Sequence, residues 1–226
     1  MNLKLRILVG IVTIAGASAL VTNQVVSQDK NKPKAGDQGM RGPAEMARMM
    51  AEYAKLSQPG EHHKRLNQFV GKWKLKTKMW MAGPDAPPSV SEGTATVKWI
   101  MGGRYLTEEV NSEMDMGPMG KQPFEGFGLT GYDNVRNLYT SVWIDSMGTQ
   151  MMISKGTRHP GTGLFTYYGE MDEPALKMYG RAVKWVVRVI NDDKHVGEMY
   201  DLAVADDYKV FEIEYERVKE INLFKP

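Results

Sequence analysis

The stretch from Pro123 to Thr149 reads PFEGFGLTGYDNVRNLYTSVWIDSMGT. Gly126, Gly128 and Gly131 fit the pattern G-x-G-x-x-G. That pattern cradles a pyrophosphate only where a helix starts at the glycines and aims its N-terminus at the ligand. Here the glycines run into Tyr132-Asp133-Asn134, a turn cluster, and then into Leu138-Tyr139-Thr140-Ser141-Val142-Trp143, which alternates as a strand does. The segment therefore reads strand, turn, strand, with glycine where a strand bends or packs closely.

The same period of two extends in both directions. Lys72, Lys74, Lys76 and Lys78 alternate with Trp73, Leu75, Thr77 and Met79, which predicts a half-buried strand with a lysine-coated outer face. Ala95, Val97, Trp99 and Met101 repeat the pattern, and Gly102-Gly103 turns the chain into Arg104–Val110. Downstream, strands are expected over roughly 123–131, 137–145, 149–156 and 163–170, and near 180–190, 194–203 and 208–218. Turn residues such as Asp133-Asn134, His159-Pro160-Gly161 and Asn191-Asp192-Asp193 separate them. About ten strands joined by short connections favour antiparallel neighbours, because a parallel crossover needs roughly a dozen residues or more. A meander of this length removes its unpaired edges by closing into an up-and-down barrel. Such a barrel is wide enough inside for side chains or one small ligand.

The first residues read differently. Lys4 and Arg6 precede an almost unbroken apolar and small-residue run from Ile7 to Val21, and Ala17-Ser18-Ala19 and Val25-Val26-Ser27 both offer small residues for cleavage. This is the layout of a cleaved signal peptide over 1–27, with export to the periplasm or the medium; an uncleaved membrane anchor is the alternative. Residues 28–42 hold little that can be buried and read as a linker. Met46, Met49, Met50, Tyr53 and Leu56 then recur at helical spacing after Pro43, and Pro59-Gly60 ends that helix. A second short helix is expected over Glu61 to Phe69. The expected organisation is thus a signal peptide at 1–27, a linker with a short amphipathic helix at 28–58, and a barrel domain at 59–226. The fold class is mainly β, with one or two short α-helices ahead of the barrel.

Composition narrows the chemistry. The chain has 29 Lys and Arg against 27 Asp and Glu, a net charge of +2. Lys4 and Arg6 are the sole charged residues before Gln28, so the rest of the chain balances to zero. That argues against an electrostatic nucleic-acid binder, which needs a basic face to neutralise phosphates. There are no cysteines, which removes thiol nucleophiles, thiolate zinc sites and iron–sulfur clusters.

Taken in order, several short motifs resemble one family. They are Pro59-Gly60-Glu61-His62, Gly71-Lys72-Trp73, Trp99 with Gly102-Gly103-Arg104, Pro123-Phe124-Glu125-Gly126, Gly131-Tyr132-Asp133, Trp143-Ile144-Asp145 with Met147-Gly148-Thr149, Glu198-Met199-Tyr200, and Glu214-Tyr215-Glu216-Arg217. The set is similar to the uncharacterised bacterial family catalogued as domain of unknown function 1579, over about residues 59–218. The resemblance implies a barrel and no established activity. Gly71-Lys72-Trp73 is also similar to the G-x-W opening of lipocalin-type barrels. That second resemblance implies that Arg217, on the last strand, packs across Trp73 and closes one end, where a guanidinium over an indole gains about 0.5–2 kcal/mol.

Candidate site residues follow from a barrel with a hollow. Arg104, Glu125, Asp145, Glu198 and Tyr200 are the polar candidates for its interior, and Trp143 is a candidate apolar wall. Of the adjacent Glu108 and Glu109, strand parity admits one to the inside. The expected partner is a small, largely apolar molecule, with no cofactor, no metal, no nucleic acid and no stable membrane insertion once the leader is removed. The four histidines, His62, His63, His159 and His195, lack zinc-site spacing. Haem through one histidine, or copper(I) on Met114, Met116 and Met119, stands as an alternative. Two further classes remain open. One is an enzyme acting on a small lipid or carbonyl compound through interior carboxylates; the other is a packed scaffold that binds a partner through the helix at 43–57.

Overall fold

The computed structural model describes residues 42–219 except 81, 82, 84, 116–119, 175 and 176. The expected signal peptide, most of the linker, and Met116 and Met119 lie outside the described residues. Helix α1 (Pro43–Leu56) is amphipathic and has no buried residue. A first unit of the chain ends at Met49, and the unit from Met50 onward holds the barrel.

The second predicted helix divides in two. A single α-turn, α2 (Glu61–Lys64), is followed by a 3-10 turn at Asn67–Phe69. The division lets Leu66 bury fully and leaves the carbonyls of Gln68, Phe69 and Val70 free to accept bonds from the barrel.

Ten strands follow. They are β1 (Gly71–Met79), β2 (Ser89–Ile100), β3 (Tyr105–Asp115), β4 (Lys121–Asp133), β5 (Leu138–Asp145), β6 (Met152–Arg158), β7 (Phe165–Glu173), β8 (Met178–Asn191), β9 (Lys194–Asp201) and β10 (Lys209–Arg217). Each pairs antiparallel with its chain neighbour, and β1 pairs with β10, so the sheet is a closed barrel. Several strands run further than their apolar alternation predicts. β2 starts at Ser89 because the full length of β1 offers it partners, from Met79↔Ser89 to Gly71↔Val97. Pairing here overrides weak local propensity.

The β1–β10 seam explains the lysine stripe. Its register sets Lys74 opposite Glu216, Lys76 opposite Glu214 and Lys78 opposite Glu212 on the outer face. Lys78 reaches Glu212 at 2.7 Å and Glu214 at 2.9 Å. Lys78 and Lys194 together hold the Glu214 carboxyl down to about 2.

One end of the barrel is plugged. Leu66, Trp73, Tyr139 and Phe165 are fully buried there, with Phe69 edge-on to Phe165 at 5.5 Å. Trp73 donates its indole N–H to the Phe69 carbonyl at 2.8 Å. The Arg217 guanidinium lies 4.1 Å from the Trp73 ring centre. It donates to the carbonyls of Val70 at 2.6 Å, Gln68 at 2.8 Å and Asp192 at 2.8 Å. Orphan carbonyls at the end of a helical segment need such donors. Gly71 makes the approach possible: its φ is +136°, and a side chain there would collide with the guanidinium.

Arg217→Ala should therefore lower the unfolding free energy by about 3 kcal/mol, since it strands three carbonyls and uncovers an indole. Arg217→Lys should recover less than about half of that loss, because an ammonium cannot serve the same carbonyls while stacking. Urea denaturation measures both, and a loss under about 1 kcal/mol for Arg217→Ala contradicts the plug.

Candidate functional site

Beyond the plug the barrel encloses a hollow of about 820 Å³. Leu75, Val97, Leu106, Val110, Phe165 and Ile213 supply much of its apolar wall. The largest wall residues are Trp80, Trp143 of β5 and Trp185 of β8, and the last two lie against glycine. A side chain at Gly126 would overlap the Trp143 indole, and one at Gly197 the Trp185 indole. Each indole is thereby laid along the wall rather than across the centre, which keeps the interior open. Met79, Met114, Met147, Met152, Met171 and Met199 line the half nearer the unplugged end. Unbranched thioethers make that half adaptable in shape.

Polar groups sit at two levels. Near the unplugged end, Trp143 donates its indole N–H to Asp145 at 3.0 Å, and Arg181 pairs with Asp201. The Arg181 Nε is buried without a partner among the described residues. Deeper, Glu108 of β3 and Tyr215 of β10 both face the hollow, across an interior bounded by β2 and β1, near enough for each to shift the other's titration. Glu108 retains some accessible surface, and that surface faces the hollow. Burial pushes its carboxyl above the ordinary 4.5, against the nearby Tyr215 hydroxyl, which favours the charged form. Burial, and then the Glu108 charge, push the Tyr215 hydroxyl well above its ordinary 10.0.

His195 stacks flat on Tyr215, with ring centres 4.1 Å apart and planes at 16°, while the Trp73 ring meets it edge-on at 4.4 Å. Burial first, and Arg217 second, lower the His195 imidazole from 6.5 to about 3. It is a neutral ring at any ordinary pH. The arrangement thus sets two oxygens whose burial favours the protonated form beside an imidazole shifted towards its neutral form.

The sequence candidates separate by strand parity. Trp143 and Asp145 line the hollow. Glu125, Glu198 and Tyr200 do not, which corrects the expectation that they face inward. On β4 the hollow is lined by Phe124, Gly128 and Thr130, so Glu125 turns out and is exposed. On β9 it is lined by His195, Gly197, Met199 and Asp201, so Glu198 and Tyr200 lie on the outer face. There Glu198 pairs with Lys209 at 3.0 Å, and the Lys184 ammonium sits 4.6 Å from the Tyr200 ring centre. Arg104 is corrected as well. It belongs to the turn between β2 and β3 at the plugged end and donates to the carbonyls of Ser57 at 3.1 Å and Met101 at 3.0 Å. Trp73 and Arg217 meet in the plug described above.

Sequence reading admits one of Glu108 and Glu109 to the inside without deciding which, and it does not assign Tyr215, His195 or Trp185 to the site. A signal existed for the first. Glu108 falls in phase with Leu106 and Val110, so it is a carboxylate on the apolar parity of its strand, whereas Glu109 falls on the other. Among the described residues, no three His, Asp or Glu side chains are grouped to hold a metal ion. No described helix is long and apolar enough to cross a membrane.

Residues 58–217 match the model of a family described as protein of unknown function (DUF1579), and the chain belongs to that family. No curated protein matches the chain.

Two pH dependences follow. For His195 the folded value lies below the unfolded one, so its contribution is complete above pH 6.5 and is lost as pH falls towards 3. His195→Phe should remove roughly 4–5 kcal/mol of that acid-side slope, measured as unfolding free energy against pH. For Glu108 the folded value lies above the unfolded 4.5, so stability declines as pH rises from there. Glu108→Gln should flatten that decline and be more stable than the wild type at pH 8; an unchanged slope contradicts the burial of the carboxyl.

Proposed function

We propose, from the barrel interior rather than from the family, that this protein binds a small, largely apolar molecule in the hollow. The observation that carries the reading is the size and lining of the space: about 820 Å³, walled for the larger part by aliphatic, aromatic and thioether groups. Small-molecule sites occupy roughly 300–1,000 Å³ and have this composition. The methionine-lined half gives an entering ligand a surface that adjusts to its outline. Export to the periplasm or the medium, argued from the leader at 1–27, belongs to the same proposal: a binder outside the cytoplasm.

A second reading has one observation in its favour. Glu108 and Tyr215 place a carboxyl and a phenol near each other inside the hollow, the pairing that general acid–base chemistry on a carbonyl compound uses. Both groups are shifted towards their protonated forms, however, and His195 is shifted towards its neutral form. Two acids without a matching base suit a binding site better than proton abstraction.

Titration with Nile red, an uncharged apolar dye, tests the binding reading. Its emission should rise and shift to the blue with saturation at one dye per chain. Val110→Trp, which pushes an indole into the hollow, should weaken dye binding by about tenfold or more, while far-ultraviolet circular dichroism reports an intact barrel. Equal dye binding by the wild type and a folded Val110→Trp variant would sink the proposal.

A further inference from the structure

The deep polar pair specifies which end of a ligand the hollow receives. Glu108, Gly128 and Trp143 lie side by side across β3, β4 and β5. A Cβ placed on Gly128 would lie 3.4 Å from the Glu108 Cβ, 3.4 Å from the Trp143 ring and 3.6 Å from the Glu108 Oε2. A Cβ there would make ordinary contacts, and its absence leaves the space beside the carboxyl and the indole open. From the far side comes the Tyr215 hydroxyl, its ring clamped by His195 at 4.1 Å and by the edge of Trp73 at 6.3 Å.

The charge inventory around the pair is one-sided. Among the described residues no lysine or arginine pairs with Glu108. Arg217 is committed to three backbone carbonyls in the plug. Arg181 lines the hollow but is matched by Asp201, so that ion pair is neutral overall. An anionic head group lodged deep in the hollow would meet a carboxyl and no counter-charge, in a setting where an unpaired charge is costly. Burial favours the uncharged form of the Glu108 carboxyl, which carries an O–H as the phenol does. Both groups line the hollow, where they meet an acceptor from outside the protein.

We propose that the occupant is an uncharged amphiphile, an apolar body ending in a carbonyl or hydroxyl oxygen, and that this oxygen lodges at Glu108 and Tyr215. The assignment rests on the binding reading above and narrows it to a class: neutral ketones, aldehydes, esters or alcohols on an aliphatic or fused-ring body, in preference to carboxylates. The apolar body then extends past Trp143 and Trp185 towards the methionine-lined half.

Competition against Nile red tests it with two probes of similar length, 2-undecanone and decanoate. The measured quantity is the ratio of their displacement constants, which does not depend on a variant's own affinity for the dye. In the wild type the ketone should displace the dye at a concentration about tenfold or more below decanoate. Glu108→Leu should shrink that ratio about tenfold, because it removes the donor and the group that disfavours an anion. Glu108→Gln, which keeps a donor, should retain most of it. Tyr215→Phe gives the second route to the same ratio if the leucine variant does not fold, and it too should reduce the preference. A ratio near one in the wild type, or one unchanged in Glu108→Leu and Tyr215→Phe, overturns the head-group assignment while leaving the binding reading intact. A wild-type protein that takes up no Nile red overturns both.

Discussion

The pairing of the first strand with the last is the constraint on which the rest depends. On the outer face of this seam the lysines of β1 meet the glutamates of β10, Lys74 with Glu216, Lys76 with Glu214 and Lys78 with Glu212. On the inner face Leu75 meets Tyr215, Thr77 meets Ile213 and Met79 meets Phe211. A slip of one residue would turn every lysine of β1 into the hollow and every apolar partner out to solvent. Partly exposed ion pairs of this kind add little stability one at a time. Their effect is on register, because misaligned pairings would bring like charges together or bury charge. Arg217 then fixes the same seam from its end, tying β10 to the segment before β1 and to the turn between β8 and β9.

A closed sheet does not by itself leave an empty interior; small barrels are often filled by their own side chains. Two features keep this one open. Trp143 and Trp185 lie along the wall over Gly126 and Gly197 instead of projecting to the centre. The large rings of Trp73, Tyr139 and Phe165 are gathered with Leu66 into the plug at one end. The apolar mass of the core is therefore concentrated at that end, and the remaining length is hollow. The seam also sets the chemistry of the floor. The register that places Tyr215 beside Leu75 on the inner face brings its hydroxyl to Glu108, so the position of the polar pair follows from the closure that makes the barrel.

Strand number and turn positions are legible in the sequence because turn residues punctuate the strands and because inside and outside differ in polarity at nearly every step of β1 and β10. The lysine stripe at 72, 74, 76 and 78 marks an outer face directly. Its complement at Glu212, Glu214 and Glu216 is written as plainly, but its meaning appears only when the two strands are known to be neighbours. Parity is harder to read where both faces carry mixed residues. Glu198 and Tyr200 lie among residues whose inward partners are Gly197 and Met199, neither of which marks a strongly apolar face. Arg104 follows two glycines, and the tight turn they make takes it out of the strand altogether. The glycine pattern at 126, 128 and 131 is legible as strand rather than phosphate loop, because no helix signal follows it. What sequence cannot show is that Gly126 makes room for an indole from the next strand, since that depends on cross-strand register. The second helix fails for a similar reason: its last carbonyls are claimed by Trp73 and Arg217, and those contacts are distant in the chain for Arg217.

The central claim is that the hollow is real and admits a small uncharged amphiphile. A brominated alcohol, 11-bromoundecan-1-ol, reads this directly, because bromine quenches indole fluorescence only at close range. The account predicts quenching that saturates at one molecule per chain and is largely lost in the Trp80→Phe, Trp143→Phe, Trp185→Phe triple variant, since these three indoles line the hollow. Quenching that rises without saturation, or that persists unchanged in the triple variant, would contradict it.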